Sequence, residues 1–342
     1  MTPDEKHRRK FGVRVVAIGG GTGLSMLLRG LKRHVARRPQ EIARFPIAHL
    51  TAVVTVTDDG GSSGRLRREY RILPPGDIRN CLVALSEDEA LLARLFQYRF
   101  RAGRGLRGHS FGNLFLTALS DVTGDFAEAV RVSGEVLATR GRIFPATIEN
   151  VSLRAVMADG SIVSGETRIV HSRKKIRRLE LSPRRVRPLP EVLAAIAQAD
   201  LILLGPGSLY SSVLPNLLVE GVAEAIENSG ATRVYIANLM TQPGETPDFS
   251  LADHLRVLQR QTRRKLIDWV VVNNTPISST ISRRYRSENA EPVRVDLPQL
   301  QRLGVRCVVA DLLEEHAVVR HSSDRLARLL IEEFVRRVPA RN

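Results

Sequence analysis

Residues 13–18, Val-Arg-Val-Val-Ala-Ile, form an almost continuous apolar run that stops at three glycines, and apolar residues return at helical spacing over residues 24–33. The pattern predicts strand, glycine-rich turn and helix, the way an α/β nucleotide fold opens. A second strand is predicted over residues 50–57. Asp58 and Asp59 then stand at its carboxyl end, where open parallel sheets place their ligands. Residues 59–79 read as loop. Helical spacing resumes over 77–85, 88–99, 111–119 and 125–138, a block of helices covering about 77–140.

The period changes to alternation over about 146–181, with Ala158-Asp159-Gly160 as a hairpin turn between Ser-Leu-Arg-Ala-Val-Met and Ser-Ile-Val-Ser-Gly-Glu-Thr-Arg-Ile-Val. This predicts an inserted β-meander. Strands then alternate with helices: helix 190–199, strand 201–204, helix 215–227, strand 233–237, helix 251–263 and strand 269–273. A last strand, 305–310, precedes an amphipathic helix over 323–337 whose Ser-Ser-Asp start offers N-cap chemistry. The fold class expected is α/β, a Rossmann-like, mostly parallel sheet flanked by helices. It forms one domain over 13–338 behind a basic tail at 1–12.

Composition narrows the class. Apolar residues are 43% and charged residues 26% of 342 residues, which excludes disordered and collagen-like chains. The longest apolar runs fall far short of the roughly 18 residues of a membrane span. Basic residues 6–10 followed by 13–18 imitate a signal peptide, but the glycines cut the run short, so a cytoplasmic protein is expected. Cys81 and Cys307 are too few for a disulfide framework or a zinc site, and free buried thiols are expected.

Lys and Arg total 52 against 36 Asp and Glu, a formal charge of 52 − 36 = +16 that favours anionic partners. The arginines are dispersed; only residues 171–187 form a dense cluster. That cluster contains no aromatic residue to stack on bases, so it reads as a solvated face, and nucleic-acid binding ranks last among the functions considered.

Candidate chemistry gathers at the predicted strand ends. Gly19-Gly20-Gly21-Thr22-Gly23-Leu24-Ser25 follows a strand and opens a helix, where bare amides and the helix dipole suit a phosphate. It lacks the third glycine of the dinucleotide fingerprint and the lysine of a P-loop, so generic phosphate binding is what it supports. Next comes Thr57-Asp58-Asp59-Gly60-Gly61-Ser62-Ser63-Gly64-Arg65-Leu66-Arg67. One carboxylate could accept from a sugar or ribose hydroxyl and the other meet a divalent cation, with Arg65 and Arg67 answering phosphate; an Asx-turn is the plain alternative.

In Pro74-Pro75-Gly76-Asp77-Ile78-Arg79-Asn80, Asp77 either caps the following helix or shares the cleft with Arg79 and Asn80. In Gly108-His109-Ser110-Phe111-Gly112-Asn113, His109 is a candidate acid or base, or a hydrogen-bonded structural histidine. Gly205-Pro206-Gly207-Ser208-Leu209-Tyr210, followed by Asn216, forms a second anion cradle. The two glycine loops would grip both halves of a diphosphate at a switch point. Asn238 and Met240-Thr241-Gln242-Pro243-Gly244-Glu245-Thr246 would rim the same cleft. Arg320 and His321 either offer a cation to a phosphate or form an exposed basic turn.

Six motifs in this order resemble the YvcK family of gluconeogenesis factors in the CofD-like superfamily: GGGTGLS, TVTDDGGSSGRLR, PPGDIRN, GHSFGNL, GPGSLYSSVLPNLL and MTQPGET. The resemblance covers about residues 13–335. It implies a cytoplasmic bacterial protein that binds a nucleotide sugar of the UDP-N-acetylglucosamine type. It also implies a regulator, with a protein partner in cell-wall precursor synthesis, tied to carbon metabolism and cell shape. Homo-oligomerisation is left open. The CofD branch is similar in the glycine-rich start and in the acidic pair at Asp58 and Asp59; its members transfer a phospholactyl group from a guanylated donor to a deazaflavin with magnesium. The Gly-Gly-Ser-Ser-Gly-Arg-Leu-Arg continuation departs from that pattern. A transferase alternative therefore puts magnesium on Asp58 or Asp59 and a second substrate near His109 and Asn113. In the favoured alternative the two glycine loops hold phosphates and Asn216 helps to close the cleft.

Overall fold

A computed structural model describes residues 12–87 and 90–336. Strands β1 (Val13–Gly19), β2 (Ile47–Val54), β3 (Arg142–Pro145), β7 (Leu201–Leu204), β8 (Thr232–Ile236), β9 (Trp269–Asn273) and β10 (Arg306–Ala310) form one seven-stranded sheet. Its order is β10-β9-β8-β7-β1-β2-β3 and every pairing is parallel. β7 is buried along its whole length and β1 over its last five residues, as strands covered on both faces must be. The chain leaves β1 toward β2 on one side and returns as β7 on the other, so the topological switch point lies between β1 and β7.

Two arginine forks hold the register at the amino ends of the strands. Arg14 donates through its backbone N–H, Nε and Nη2 to Asp200, the residue before β7. Arg233 repeats the arrangement on Asp268, before β9. Planar bidentate pairing of this kind fixes both distance and angle, and it leaves the opposite, carboxyl ends of the strands to the loops.

Helices Gly61–Tyr70, Gly76–Leu85, Ala90–Gln97, Phe111–Thr123 and Phe126–Val136 form the helical block. It begins earlier than the sequence pattern predicts, because Gly61–Tyr70 replaces the expected loop. Gly61, Ser62, Ser63 and Gly64 are weak helix formers and Leu66 is the lone large buried apolar residue, so periodicity carries no signal. The small residues are needed for packing instead: a Cβ at Gly64 would overlap the Asp59 carbonyl.

The insertion also differs from a meander. β4 (Ser152–Met157), β5 (Ile162–Ser164) and β6 (Ile176–Ser182) are antiparallel in the order β5-β4-β6, with helix Glu166–Ser172 between β5 and β6. The expected long second strand is cut at Gly165, whose φ of +96° lies in the left-handed region and directs the chain out of the sheet.

The helix expected over 215–227 is broken into short helices Leu214–Leu217 and Val222–Asn228, with Gly221 at φ +77° between them, and a π-type turn (Leu209–Val213) precedes them. Helices Ser279–Ser287 and Leu297–Arg302 and the hairpin of β11 (Leu313–Glu315) and β12 (Val319–His321) have no counterpart in the predicted pattern; Ser279–Ser287 buries no residue, so it has no apolar stripe to read. The terminal helix, Ser323–Leu330, passes into a π-type turn at Ile331–Val335, and Ser322 at its cap position makes no side-chain cap bond. It packs tightly on Gly21–Leu31, since a Cβ at Gly30 would overlap the Ser323 carbonyl. The tail over 1–11 and the end of the domain beyond residue 336 lie outside the described residues.

Cys81 is a buried and Cys307 a half-buried free thiol, and burial raises the pKa of both. Half of the Lys and Arg residues in the basic cluster at 171–187 are ion-paired: Lys174 with Asp159, Arg178 and Arg184 with Glu180, Arg187 with Glu149. Among the described residues no helix is long and apolar enough to cross a membrane.

Candidate functional site

A cavity of about 530 Å³ opens at the carboxyl ends of β1, β2, β7 and β8, at the switch point, and its volume suits a small ligand. Gly20, Gly21, Thr22 and Gly23 line it from the β1 side, and Pro206, Gly207 and Ser208 from the β7 side. The two glycine clusters touch. A Cβ on Gly23 would overlap the Pro206 carbonyl, and one on Gly207 would come within 3.2 Å of Ser212 Cβ. Gly20 is equally constrained, with Thr55 Cγ2 at 2.6 Å and Asp77 Oδ2 at 2.7 Å from a Cβ built on it. Asn216 lies buried beneath, and its Nδ2 donates to the carbonyls of Gly19 (3.1 Å) and Ser212 (2.7 Å), tying the clusters together without lining the cavity.

The clusters are not equivalent. Gly21, Thr22 and Gly23 occupy the first turn of helix Gly21–Leu31, where amides have no intrahelical acceptor. In the second cluster the protein has already taken most donors: Gly205 N–H goes to Ile18 O, Gly207 N–H to Asn238 Oδ1, and Tyr210 N–H to Glu245 Oε2 at 3.0 Å. Glu245, 6% exposed, also accepts from Ser211 Oγ at 2.7 Å, and burial raises its pKa. It fills the place a phosphate would take at that helix start, so the second glycine loop shapes the wall rather than cradling an anion. Tyr210 is buried away from the cavity, its hydroxyl pKa pushed up to about 12 by burial, and Gly205 and Leu24 lie in the packing behind it.

The acidic pair divides. Asp58 lines the cavity and its Oδ1 accepts from Gly60 N–H at 2.8 Å, an Asx-turn at the cleft edge. Asp59 turns toward the insertion, where Oδ1 accepts from Thr167 N–H (2.9 Å) and Thr167 Oγ1 (2.6 Å). It caps the Glu166–Ser172 helix from another part of the chain, and so does not stand beside Asp58 as a metal ligand. Among the described residues no three His, Cys, Asp or Glu side chains form a metal-holding group.

Asp77 lines the cavity and accepts from the Gly21 backbone instead of capping its own helix, whose cap residue is Pro75. Burial first, and then the nearby Asp58, raise its pKa to about 6. Arg79 and Asn80 do not join it; Arg79 Nη2 donates to Asn80 Oδ1 at 2.6 Å outside the cavity. Ser62, His109 and Asn113 form their own buried triad: Ser62 Oγ lies 2.9 Å from His109 Nδ1 and accepts from Asn113 Nδ2 at 3.1 Å. They fasten helix Gly61–Tyr70 to helix Phe111–Thr123 away from the cavity. Arg65 donates to Arg107 O, and Arg67 to Asn150 and Val151, so neither meets a phosphate here.

Glu166 escaped the sequence reading. It lines the cavity, and burial together with Asp58, Asp77, Glu245 and Asp59 raises its pKa to about 9. A signal existed: Gly165-Glu166-Thr167 repeats as Gly244-Glu245-Thr246. Both glycines have positive φ, and Gly244 sits so close to Val170 O that no side chain fits. The two turns therefore hold one carboxylate at the cavity, Glu166, and a second, Glu245, buried behind its wall on Tyr210 and Ser211.

The far wall comes from unpredicted elements, Tyr285 and Glu288 at the end of the Ser279–Ser287 helix, and Val319, Arg320 and His321 on β12. His321 is buried and donates to Ala237 O; burial lowers its pKa to about 4, so it is neutral at physiological pH. Arg320 is exposed at the rim. Asp58, Asp77, Glu166 and Glu288 thus face a lone lining arginine, Arg320, making this an acidic cleft in a basic protein.

An open parallel sheet with a ligand-sized cleft at its switch point, built from glycine loops on both flanking strands, defines a doubly wound, Rossmann-like α/β protein. The family model described as 2-phospho-L-lactate transferase CofD matches residues 15–313. The chain is 49% identical over 320 residues to the gluconeogenesis factor of Halalkalibacterium halodurans, covering 93% of this chain and 95% of that one. It is 46% identical over 320 residues to the gluconeogenesis factor of Bacillus subtilis, with 93% and 97% covered. A crystal structure of a UPF0052-family protein from Bacillus halodurans superposes with a TM-score of 0.88 at 48% identity, covering 94% of this chain and 99% of that one. This chain belongs to the CofD family, in its gluconeogenesis-factor (YvcK, UPF0052) branch.

Proposed function

We propose that the cleft binds a nucleotide sugar of the UDP-N-acetylglucosamine type and that the chain acts as a cytoplasmic regulator. In this role it reports that ligand to a protein partner in cell-wall precursor supply. The observation that carries this is the convergence of the Gly20–Gly23 turn with Asp58, Asp77 and Glu166 in one cavity at the switch point. The first-turn amides of Thr22 and Gly23, together with Arg320, suit a diphosphate, whereas carboxylates suit the hydroxyl groups of sugar and ribose. A ligand carrying both features matches the cleft better than a bare phosphate, which the acidic wall would repel. At neutral pH Glu166 is protonated and offers a donor as well as an acceptor, which further lowers that repulsion.

Calorimetric titration with UDP-N-acetylglucosamine, GDP and NAD in parallel, with product analysis after incubation in magnesium, tests this. Saturable binding of the sugar nucleotide without its consumption is expected; silence with all three ligands sinks it.

The crowding of Asp58, Asp77 and Glu166 favours a second reading, a magnesium-dependent transferase acting on a diphosphate-linked donor. With Asp59 engaged elsewhere, the residues fit a magnesium held by Asp58 and Asp77 together with the ligand's phosphates, not by the protein alone. Such an ion would supply charge neutralisation of the phosphates. Turnover in the same incubation would favour this reading.

A further inference from the structure

A second surface, remote in character from the cleft, combines positive charge with exposed apolar groups. Residues 90–109 contain Arg94, Arg99, Arg101, Arg104 and Arg107 and no acid. None of them takes part in an ion pair among the described residues, unlike Arg178, Arg184 and Arg187 of the 171–187 cluster. The helix Ala90–Gln97 buries Phe96, which packs on Phe111 and Phe115 at centroid distances of 5.9 and 5.0 Å. Its opposite stripe is bare: Leu91 is 72%, Leu95 41% and Tyr98 51% exposed, at the i, i+4, i+7 spacing of one face.

The chain after this helix is a closed hairpin, not a loose tail. Phe111 N–H donates to Tyr98 O (2.8 Å), Phe100 N–H to His109 O (2.9 Å) and Gly108 N–H to Phe100 O (2.8 Å). The stem holds out a tip, residues 101–107, in which every residue is exposed, including Leu106 at 46%. Burying large apolar groups is the usual gain of a folded chain, so exposed leucines on a helix face and on the charged hairpin after it point to an external surface that covers them.

We propose that this helix face and hairpin tip dock on an anionic lipid surface, with Leu91, Leu95, Tyr98 and Leu106 entering the interface and the five arginines meeting the headgroups. Charge complementarity and shape choose the occupant. Apolar groups on one side of a basic helix, with a tyrosine at their margin, are what interfacial segments display. Clusters of four to eight arginines or lysines of this kind recognise acidic headgroups. A convex tip fits a deformable surface without needing a preformed groove. Nucleic acid fits worse, because leucines have no π-face and the Tyr98 and Phe100 rings pack edge-on to each other at 5.2 Å and 82° instead of presenting faces for stacking.

The test is co-sedimentation of the intact chain with vesicles of mixed phosphatidylglycerol and phosphatidylcholine, against vesicles of phosphatidylcholine alone, at low and high salt. Binding to the anionic vesicles only, weakened by salt, is expected. Leu91→Ser with Leu106→Ser, and separately Arg101→Ala with Arg104→Ala and Arg107→Ala, should each weaken it about tenfold or more while the melting curve stays that of the parent. The proposal is overturned by absence of vesicle binding, by equal binding to neutral vesicles, or by indifference to both sets of substitutions. It is equally overturned if the patch captures RNA, or a second copy of the chain, in place of vesicles. Because no cleft residue is altered, a failure here leaves the nucleotide-sugar assignment standing, and the reverse also holds.

Discussion

Replacing Gly23 by alanine tests the contact between the glycine loops. The added methyl would overlap the Pro206 carbonyl, with Pro206 C at 2.7 Å and Gly207 N at 3.1 Å, all of it backbone that has no rotamer through which to escape. Forcing a methyl into such packing costs about 1–3 kcal/mol. Against this, alanine in place of a helix glycine returns roughly 0.5–1 kcal/mol. The net expectation is a loss of about 1 kcal/mol, within a range of about 0–2.5 kcal/mol, read as a melting midpoint lower by about 2 °C in scanning fluorimetry. The loops must also move apart, so affinity for UDP-N-acetylglucosamine should fall about tenfold or more, the equivalent of roughly 1.4 kcal/mol, by calorimetry. Gly105→Ala, where an added Cβ meets nothing within 4 Å, serves as the control and should change neither quantity. A Gly23→Ala protein with the parent's midpoint and affinity would refute the idea that close approach of the two turns shapes the cleft.

Other substitutions separate structural acids from site acids. Asp59→Ala removes the acceptor for Thr167 N–H and Oγ1 and should lower stability by about 1 kcal/mol in urea unfolding, with any response to magnesium unchanged. Glu245→Ala strands the buried Tyr210 N–H and Ser211 Oγ and should cost about 1–3 kcal/mol by the same measure, with Glu245→Gln milder. The Glu166 carboxyl titrates higher folded than unfolded, so its stabilising contribution is complete below its ordinary pKa of about 4.5 and fades as pH rises toward about 9. Glu166→Gln should therefore be more stable than the parent at pH 8, by on the order of 1 kcal/mol or more in urea unfolding, and match it near pH 4.5; equal curves at pH 8 would contradict the crowding of carboxylates in the cleft.

The sheet strands were readable from residues alone because parallel strands buried on both faces need unbroken apolar runs. Leu201–Leu204 and Trp269–Asn273 coincide with their predicted bounds for that reason. The glycine turn after β1 was equally plain, since a strand, a bare turn and a helix leave few other local solutions. What depended on sequence-distant neighbours could not be read. Asp58 and Asp59 are adjacent in the chain, yet one faces the cleft and the other caps a helix 108 residues away. Gly61–Tyr70 is helical because its small residues fit a crowded place, not because it has an apolar stripe. His109 could be read as an acid or base or as a hydrogen-bonded structural histidine, and only the buried contacts with Ser62 and Asn113 favour the second. The second glycine loop looked like an anion cradle, but Ile18 O, Asn238 and Glu245 accept from the amides of Gly205, Gly207 and Tyr210. Local sequence fixes which backbone shapes and hydrophobic faces are available, through short-range sterics and the period of burial. The direction in which a charged side chain points, and whether a donor is still free, are set by long-range packing, which exists only once the chain has closed on itself.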